Sequence, residues 1–276
     1  MRNYILLLVI LLGFSSCGSF SDKKSKELHF NNVLKDTTCH LFNDVANPSL
    51  KLKLNAEIPD DFQDEKVLGL LQGEIIKNLT GDSVANYSDK AIDNYIQKWI
   101  KDYKSLEKEY VSIKDTMNEG EIAPSAFNWE VKIKACPIFK SKSLLCYKIE
   151  NYIFMDGAHG STIIKAVNMS LKDGKIITLD DVFNDDYDDL LLPSIVEKIK
   201  KDNKLKVGDD LESIGYFGTD EMCVSSNFLI EEDGVTFIYN PGEVAAYVVG
   251  NVKVKLPFED LSMAIRSDFL INEYVK

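Results

Sequence analysis

The sequence predicts an α+β fold, in which antiparallel sheets pack against helices in two subdomains. Apolar and polar residues alternate in several short runs, a pattern typical of half-buried strands. Other runs place apolar residues at helical spacing, and two Asp-Gly pairs mark tight hairpin turns. Strands and helices cluster without regular alternation, which favours α+β over a doubly wound α/β fold. The predicted subdomains are an N-terminal α+β unit over 45–155 and a strand-rich unit over 156–276.

The first subdomain is predicted to hold one strand, two helices and a hairpin. Period-2 alternation predicts the strand, and apolar residues three and four positions apart predict the helices. Gly81 follows the first helical run, and glycine commonly ends a helix in the left-handed conformation. These elements are expected at 50–58, 67–79, 89–109 and, for the hairpin, 127–135 with 144–154.

The second subdomain is predicted to be built mainly from hairpins. Asp173-Gly174 and Asp233-Gly234 each separate two strand-like runs. One helix is expected at 193–201, since proline suits a first helical turn and lysines suit a helix C-terminus. Strands are expected at 161–171, 175–179, 227–231, 235–239 and 244–256.

The N-terminus has the features of a secretory leader. Arg2 precedes an apolar run over 5–12, and small residues then lead to Cys17. This order predicts a signal peptide over 1–16. The apolar run is roughly eight residues long, far below the roughly 20 that a membrane-spanning helix needs.

Residues 14–17, Phe-Ser-Ser-Cys, resemble the lipobox of bacterial lipoproteins. The resemblance implies lipidation of Cys17 and a lipid-anchored location in the cell envelope. Gly18, where Asp would retain a lipoprotein at the inner membrane, favours an outer-membrane or periplasm-facing position. An ordinary secreted protein with an incidental Cys17 is the alternative. The small, polar and charged residues after Cys17 predict a flexible tether over 17–44.

The formal net charge of −12 limits the partners of the chain. Nucleic acid is not expected as a partner, because its phosphates repel so acidic a protein. Cationic proteins are attracted, mainly through faster association. Plain solubility is the alternative explanation of this charge.

Four cysteines remain once Cys17 is assigned to the lipid. Outside the cytoplasm, an even number of cysteines permits disulfides. Cys136 and Cys146 flank the predicted turn at 140–143, so we predict a bridge between them across the hairpin. Cys39 with Cys223 is a second pairing, and the alternative is that all four are buried free thiols.

No metal, cofactor or catalytic residue is predicted. The chain has three histidines and no C-x-x-C, H-x-x-x-H or H-E-x-x-H motif. The acidic run at 180–189 lacks the glycine and the glutamate that a calcium loop needs at its sixth and twelfth positions. A G-x-S-x-G nucleophile elbow and a glycine-rich phosphate loop are also absent from the sequence.

One local cluster, at 152–160, is a candidate ligand-binding site. Its candidate residues are Tyr152, Asp156 and His159, and Gly157 and Gly160 bracket the histidine. Glycines there permit positive φ and a close approach of His159 to a neighbouring strand. His159 is expected to act as a general base, as a ligand contact or, alternatively, as a structural hydrogen bonder in a tight turn.

Residues 157–160, Gly-Ala-His-Gly, resemble the G-A-H motif of the RsiV/PdaC-type extracellular region. Further stretches resemble this family in order and spacing, at 170–175, 179–183, 227–230, 234–237, 240–250 and 256–261. The segment from Pro241 to Gly250 follows its P-x-E-[IV]-A-x-Y-x-x-G pattern. The resemblance covers about 45–261 and is strongest after Tyr152.

The resemblance implies an α+β module of unknown biochemical function outside the cytoplasm. One relative in the family is a membrane anti-sigma factor whose outer part binds lysozyme, and another carries the module beside a peptidoglycan deacetylase domain. The lipid anchor leaves no cytoplasmic segment to hold a sigma factor, and the Asp/His metal motif of the deacetylase is not seen. We therefore expect binding to carry over, and signalling and deacetylation not to.

Three functions follow from these observations. The first is a lipid-anchored binding module for a cell-wall-related ligand, either peptidoglycan or a cationic protein such as lysozyme. The second is an envelope enzyme acting on glycan or peptidoglycan, with His159 as acid or base. The third is a structural envelope protein without a small ligand. The first is the function predicted here, without evident catalysis.

Overall fold

The computed structural model describes residues 27–82, 89–116, 125–155, 159–206 and 208–269. The predicted signal peptide and Cys17 lie outside these residues. The α+β class is confirmed, with a five-stranded sheet, a three-stranded sheet and several helices. The strands are β1 (His29–His40), β2 (Ser49–Asp61), β3 (Trp129–Lys140), β4 (Leu144–Phe154), β5 (Ser161–Ser170), β6 (Phe228–Ile230), β7 (Gly234–Tyr239) and β8 (Val252–Pro257). The helices are α1 (Glu65–Thr80), α2 (Asp89–Lys104), α3 (Glu107–Lys114), α4 (Leu179–Val182), α5 (Tyr187–Asp202) and α6 (Phe258–Leu261).

The larger sheet has the strand order β1-β2-β3-β4-β5. All its neighbouring strands are antiparallel except β2 and β3, which are parallel. This pair departs from the predicted antiparallel sheets because α1, α2 and α3 lie between the two strands in the chain. A parallel pair needs such a crossover connection.

The helices that cross between β2 and β3 begin and end at recognisable residues. Asp64 caps α1, where its carboxylate accepts hydrogen bonds from the amides of Lys66 at 2.9 Å and Val67 at 3.1 Å. Gly81, with φ of 82°, ends α1 as predicted. The single helix predicted over 89–109 is divided into α2 and α3. Ser105 lies between them, and its hydroxyl donates to the carbonyl of Asp102 at 2.6 Å in competition with the helical backbone.

The flexible tether predicted over 17–44 is wrong for residues 29–40, which form β1. This strand is paired along its length with β2 and lies at the edge of the sheet. Val33 is its only fully buried residue, and polar side chains occupy both of its faces. Edge strands tolerate this composition, so β1 lacks the alternation by which a strand is found in sequence.

The subdomain boundary predicted at 155/156 falls inside the β4–β5 hairpin, because β5 belongs to the larger sheet. Two apolar cores nevertheless exist, one on each face of this sheet. β4 contributes to both: Leu145 and Tyr147 lie in the first core, whereas Leu144 and Cys146 lie in the second. The two subdomains therefore share β4 and β5 and are not separated by a linker.

The second core is built from β6, β7, β8 and α5 against the far face of β4 and β5. The predicted helix at 193–201 is longer, so Pro193 lies in its second turn. The predicted strand at 175–179 is reduced to one bridge between Met169 and Ile176. The strand predicted over 244–256 begins only at Val252, because a helical turn at 247–249 precedes Gly250 with φ of 79°.

Asparagine side chains join the outer edge of β5 to the second subdomain. Asn240 accepts a hydrogen bond from the amide of Ile164 at 2.7 Å and donates to its carbonyl at 3.1 Å. Asn227 accepts from the amide of Ala166 at 2.7 Å and also donates to the carbonyl of Ile164 at 2.8 Å. These bonds replace a further strand and block pairing with another chain.

The predicted Cys136–Cys146 disulfide is wrong, since both residues are free thiols. A bulge places Cys136 opposite Lys148 and Cys146 opposite Phe139. The two cysteines are therefore diagonal neighbours, which lie roughly 7–8 Å apart. That separation exceeds the roughly 4.4–6.8 Å between the Cα atoms of a disulfide.

The other two cysteines of the described chain are also free, Cys39 half-buried and Cys223 exposed. The predicted pairing between them is therefore wrong as well. Burial raises the pKa of the Cys146 thiol, so this thiol stays protonated at neutral pH. The alternative prediction is that all four cysteines are buried free thiols. Among the described cysteines, all four are free but only Cys146 is buried.

Candidate functional site

A groove of about 640 Å³ crosses the outer face of the larger sheet, the face turned away from α1 and α2. Two rows of side chains line it, and direct partners on neighbouring strands share a face. The first row, in strand order, is Asp36, Lys53, Lys132, Tyr152 and Thr162. The second row is Leu34, Asn55, Lys134 and Glu150. The groove therefore runs across the strands and takes residues from all five of them.

Two lysines meet in the first row. Lys53 and Lys132 are register partners across β2 and β3, and like charges placed directly opposite are destabilising. Lys53 lies 3.4 Å from the carboxylate of Asp36, and Lys132 lies 2.8 Å from that of Glu130. The hydrogen bond to Glu130 raises the pKa of Lys132, so this ammonium is charged at neutral pH. Both side chains remain more than half exposed.

The second row pairs Lys134 with Glu150. Burial raises the pKa of Glu150, but the hydrogen bond from Lys148 and the charges of Lys148, Lys253 and Lys134 outweigh it, and the pKa falls. The Glu150 carboxylate lies 2.9 Å from Lys148 and 4.0 Å from Lys253. Lys134 forms no ion pair with another residue of the described chain, so its charge is available to a ligand.

Tyr152 supplies the aromatic surface of the groove. The Nζ of Lys132 lies 5.2 Å from the centre of its ring. The ring also packs against the backbone of Gly160, where an added Cβ would lie 2.4 Å from the ring Cζ and Oη. Gly160 does not have positive φ. The predicted reason for Gly160, a backbone with positive φ, is therefore wrong, and this glycine instead makes room for the Tyr152 ring. Gly157 lies outside the described residues.

His159 is exposed and lines a smaller cavity of about 260 Å³ beside the groove. Facing it is the 241–250 segment, which contributes Pro241, Tyr247, Val248 and Gly250. The fold therefore brings together two of the stretches on which the family resemblance rests. The two openings adjoin, because Thr162 lines both.

Two of the three candidate residues lie in the described part of the chain, in adjoining openings. Tyr152 lines the groove, His159 lines the smaller cavity, and Asp156 lies outside the described residues. The described lining of the cavity offers hydroxyl and amide groups beside His159 and no carboxylate. The Ser161 hydroxyl is one of these groups, and it is buried without a hydrogen-bond partner among the described residues.

A second candidate surface is acidic. Residues 179–233 contain sixteen Asp and Glu and five Lys, which accounts for nearly all of the net charge of −12. Asp188 and Asp189, in the first turn of α5, flank a groove of about 440 Å³ with apolar lining from Leu192, Pro193 and Val196. We call this region the acidic surface and define it by the exposed carboxylates Asp185, Asp186, Asp188, Asp189 and Asp220.

The lysines of the larger groove were missed in the sequence. Their signal lies in the alternation of the strands, since Lys51 and Lys53 on β2 and Lys132 and Lys134 on β3 occupy successive outward positions. Outward lysines on a strand are normally assigned to plain solvent exposure. Their clustering appears only when the parallel pairing of β2 and β3 is known, and the crossover hides that pairing.

Within the described ranges, no group of three or more His, Cys, Asp or Glu side chains is placed to hold a metal ion. None of the described helices is both long and apolar enough to cross a membrane.

Comparison with known proteins identifies a related family. Residues 180–259 match the family described as "Protein of unknown function (DUF3298)". The chain is 24% identical over 177 residues to peptidoglycan-N-acetylmuramic acid deacetylase PdaC of Bacillus subtilis (strain 168). That match covers 63% of the chain and 35% of PdaC, so the chain spans about a third of this curated relative.

Two solved structures share the fold. A DUF3298 family member from Bacteroides fragilis NCTC 9343 is 27% identical, with a TM-score of 0.81 over 91% of this chain and 98% of that one. A DUF3298 family protein from Pseudomonas aeruginosa PAO1 is 16% identical, with a TM-score of 0.57 over 88% and 96%. The predicted resemblance to a PdaC-type domain of unknown function is confirmed.

Proposed function

We propose that this chain, whose residues 180–259 match the DUF3298 family, is a non-catalytic binding module of the bacterial cell envelope. The similarity to PdaC, a peptidoglycan deacetylase by name, supports a cell-wall-related setting. The proposed ligand is a cationic, cell-wall-related protein, of which lysozyme is the specific candidate.

The acidic surface is the observation that carries this proposal. Its carboxylates are exposed, and two of them flank a groove that is lined by three apolar side chains and by Lys200 and Thr219. An apolar centre with a charged rim is the usual anatomy of a protein interface. The carboxylates would speed the approach of a cationic partner and orient it, whereas Leu192, Pro193 and Val196 would bury its apolar side chains.

Binding of lysozyme to residues 18–276 at low and moderate ionic strength tests the proposal. Saturable binding that weakens with salt is expected, because screening acts on exposed charges. The test variant neutralises four acids of the acidic surface together, Asp185→Asn, Asp186→Asn, Asp189→Asn and Asp220→Asn. It is expected to weaken binding about tenfold or more.

The matched control neutralises four exposed acids elsewhere, Asp60→Asn, Asp102→Asn, Glu109→Gln and Asp115→Asn. It changes the net charge equally, so it is expected to retain most of the affinity. An equal loss in both variants would point to net charge instead of a site. The absence of saturable binding at low ionic strength would reject lysozyme as the ligand.

The lipid anchor is a separate part of the proposal. We propose that Cys17 carries the lipid and holds the domain at the membrane, on the outer membrane or facing the periplasm. The sequence around Cys17 supports this location. Cys17→Ser is expected to move the protein from the membrane fraction to the soluble fraction and to abolish labelling by a fatty-acid analogue. Retained labelling would contradict the assignment.

The alternative function, an envelope enzyme with His159 as acid or base, rests on the position of His159 in a cavity of its own. It predicts that His159→Ala abolishes turnover of a glycan or peptidoglycan substrate while the unfolding midpoint stays the same. Unchanged turnover in the variant would remove this role.

A further inference from the structure

The groove on the larger sheet has a chemistry opposite to that of the acidic surface. Lys53, Lys132 and Lys134 lie together in it, on a chain whose formal net charge is −12. The groove shares no residue with the acidic surface, so a ligand here needs a separate explanation. We propose that the groove binds an extended glycan that carries carboxylate groups.

The charge of the groove supports an anionic ligand. Lys53 and Lys132 face each other across β2 and β3, and each is only partly neutralised by a neighbouring carboxylate. Lys134 lies on the next outward position of β3, without an ion pair in the described chain. A carboxylate bound between these ammonium groups would relieve their repulsion and form charge-assisted hydrogen bonds.

The shape and the apolar surface support a glycan. The groove crosses the strands and is open along its length, with the Tyr152 ring at one end and Leu34, which is 65% exposed, at the other. The ring and the lysine stems offer apolar contact to the C–H faces of sugar rings. Asn55, Thr162 and the charged groups offer hydrogen bonds to hydroxyl groups that stay partly in water.

An acidic peptide would fit this groove less well. A peptide that binds a sheet usually adds to an edge strand, whose free backbone groups pair with its own. The groove lies on the face of the sheet and presents only side chains. The backbone groups of a peptide would therefore lose water without gaining regular partners.

The test is a titration of residues 18–276 with defined oligosaccharides at low ionic strength. The main probe is a tetrasaccharide of alternating N-acetylglucosamine and N-acetylmuramic acid, whose lactyl groups carry the carboxylates. The neutral comparison is the N-acetylglucosamine tetramer, which has the same linkage and no carboxylate. We expect saturable, salt-weakened binding of the first and binding at least about tenfold weaker of the second.

Matched variants locate the site. Lys132→Ala with Lys134→Ala is expected to weaken binding about tenfold, whereas Lys51→Ala is expected to change it less than about twofold. Lys51 lies on the same face of β2 and is exposed, but it does not line the groove. Glu150→Gln is expected to strengthen binding, because it removes a negative charge from the lining of the groove. All four positions point outward on the sheet, so folding should persist, and the unfolding midpoint verifies it.

The choice of a cell-wall sugar rests on the proposed envelope location. Titration with oligogalacturonate, a second carboxylate glycan, separates the proposed groove chemistry from the proposed location. Binding of both carboxylate glycans supports the groove and the location together. Binding of oligogalacturonate alone supports the groove and counts against a cell-wall ligand. Four results would overturn the inference. They are equal binding of the neutral tetramer, an equal loss of affinity in Lys51→Ala, tighter binding of an acidic peptide, and no binding of either carboxylate glycan.

Discussion

Gly160 determines how the Tyr152 ring lies at the edge of the groove. A Cβ at this position would meet the ring at 2.4 Å, so the ring or the backbone would have to move. We expect Gly160→Ala to lower the free energy of unfolding by about 1–3 kcal/mol, the usual cost of overpacking. Urea denaturation followed by circular dichroism measures this change.

Gly69 provides the control for that substitution. It lies in α1, and an added Cβ would have no atom within 4 Å. Alanine has the better helix propensity, so Gly69→Ala is expected to stabilise the protein by up to about 1 kcal/mol. If Gly160→Ala were neutral or stabilising as well, the close packing of Tyr152 on Gly160 would be disproved.

The cysteines show the limit of pattern reasoning at the residue scale. The sequence places Cys136 and Cys146 almost symmetrically about the turn, and the hairpin itself is confirmed. The turn is centred beyond the midpoint of the two cysteines, because Lys140 pairs with Leu145. A bulge before Phe139 then places Cys136 opposite Lys148, so the cysteines are diagonal. A bulge adds one residue to one strand without any strong signal in the sequence. A disulfide predicted from spacing alone therefore depends on a register that spacing does not determine.

Among the elements, those with strong hydrophobic periodicity were predicted well. β2, α1 and the β3–β4 hairpin follow their expected patterns because their apolar residues are buried in the cores. β1 was missed because it buries a single valine and gains its stability from pairing with β2. The partner that makes it a strand is not visible in its own residues. Local hydrophobic periodicity thus predicts elements that pack on the core, and it misses edge strands that are stabilised mainly by backbone pairing.

The edge of β5 depends on side chains for its hydrogen bonds, and Asn240 tests this. Asn240→Ala would leave the amide of Ile164 without its partner, while Asn227 still serves the carbonyl. A lost partner at a shielded amide costs about 1–3 kcal/mol, and we expect this loss in the free energy of unfolding. Faster hydrogen exchange at the Ile164 amide should accompany it.

Asn55→Ala is the control, because Asn55 is exposed and its side chain makes no hydrogen bond within the described chain. It is expected to change the free energy of unfolding by less than about 0.5 kcal/mol. An equally small effect of Asn240→Ala would show that the asparagines do not hold β5 to the second subdomain.

At the scale of the whole molecule, charge is divided between the two subdomains. Residues 179–233 carry most of the negative charge, and the lysines of the groove lie on the larger sheet. The net charge of −12 predicts from the sequence a uniformly acidic surface. It conceals the opposite local charge of the groove, because the groove forms only when β2, β3 and β4 are brought side by side.

This division predicts that the two proposed sites act independently. Neutralising Asp185, Asp186, Asp189 and Asp220 should weaken lysozyme binding and leave the affinity for the carboxylate tetrasaccharide within about twofold. Lys132→Ala with Lys134→Ala should weaken binding of the carboxylate tetrasaccharide and leave the affinity for lysozyme within about twofold. Isothermal titration of each variant with each ligand measures all four affinities.

Salt should weaken both interactions in the wild-type protein, since each depends on exposed charge. If the lysine variant lost lysozyme binding as well, one shared surface would have to bind both ligands. The acidic surface and the groove would then be parts of a single site, contrary to their separate residues. If the acidic-surface variant lost only lysozyme binding and the lysine variant lost only glycan binding, the domain could hold a glycan and a cationic protein at the same time. That property is expected of a module placed between the cell wall and the proteins that act on it.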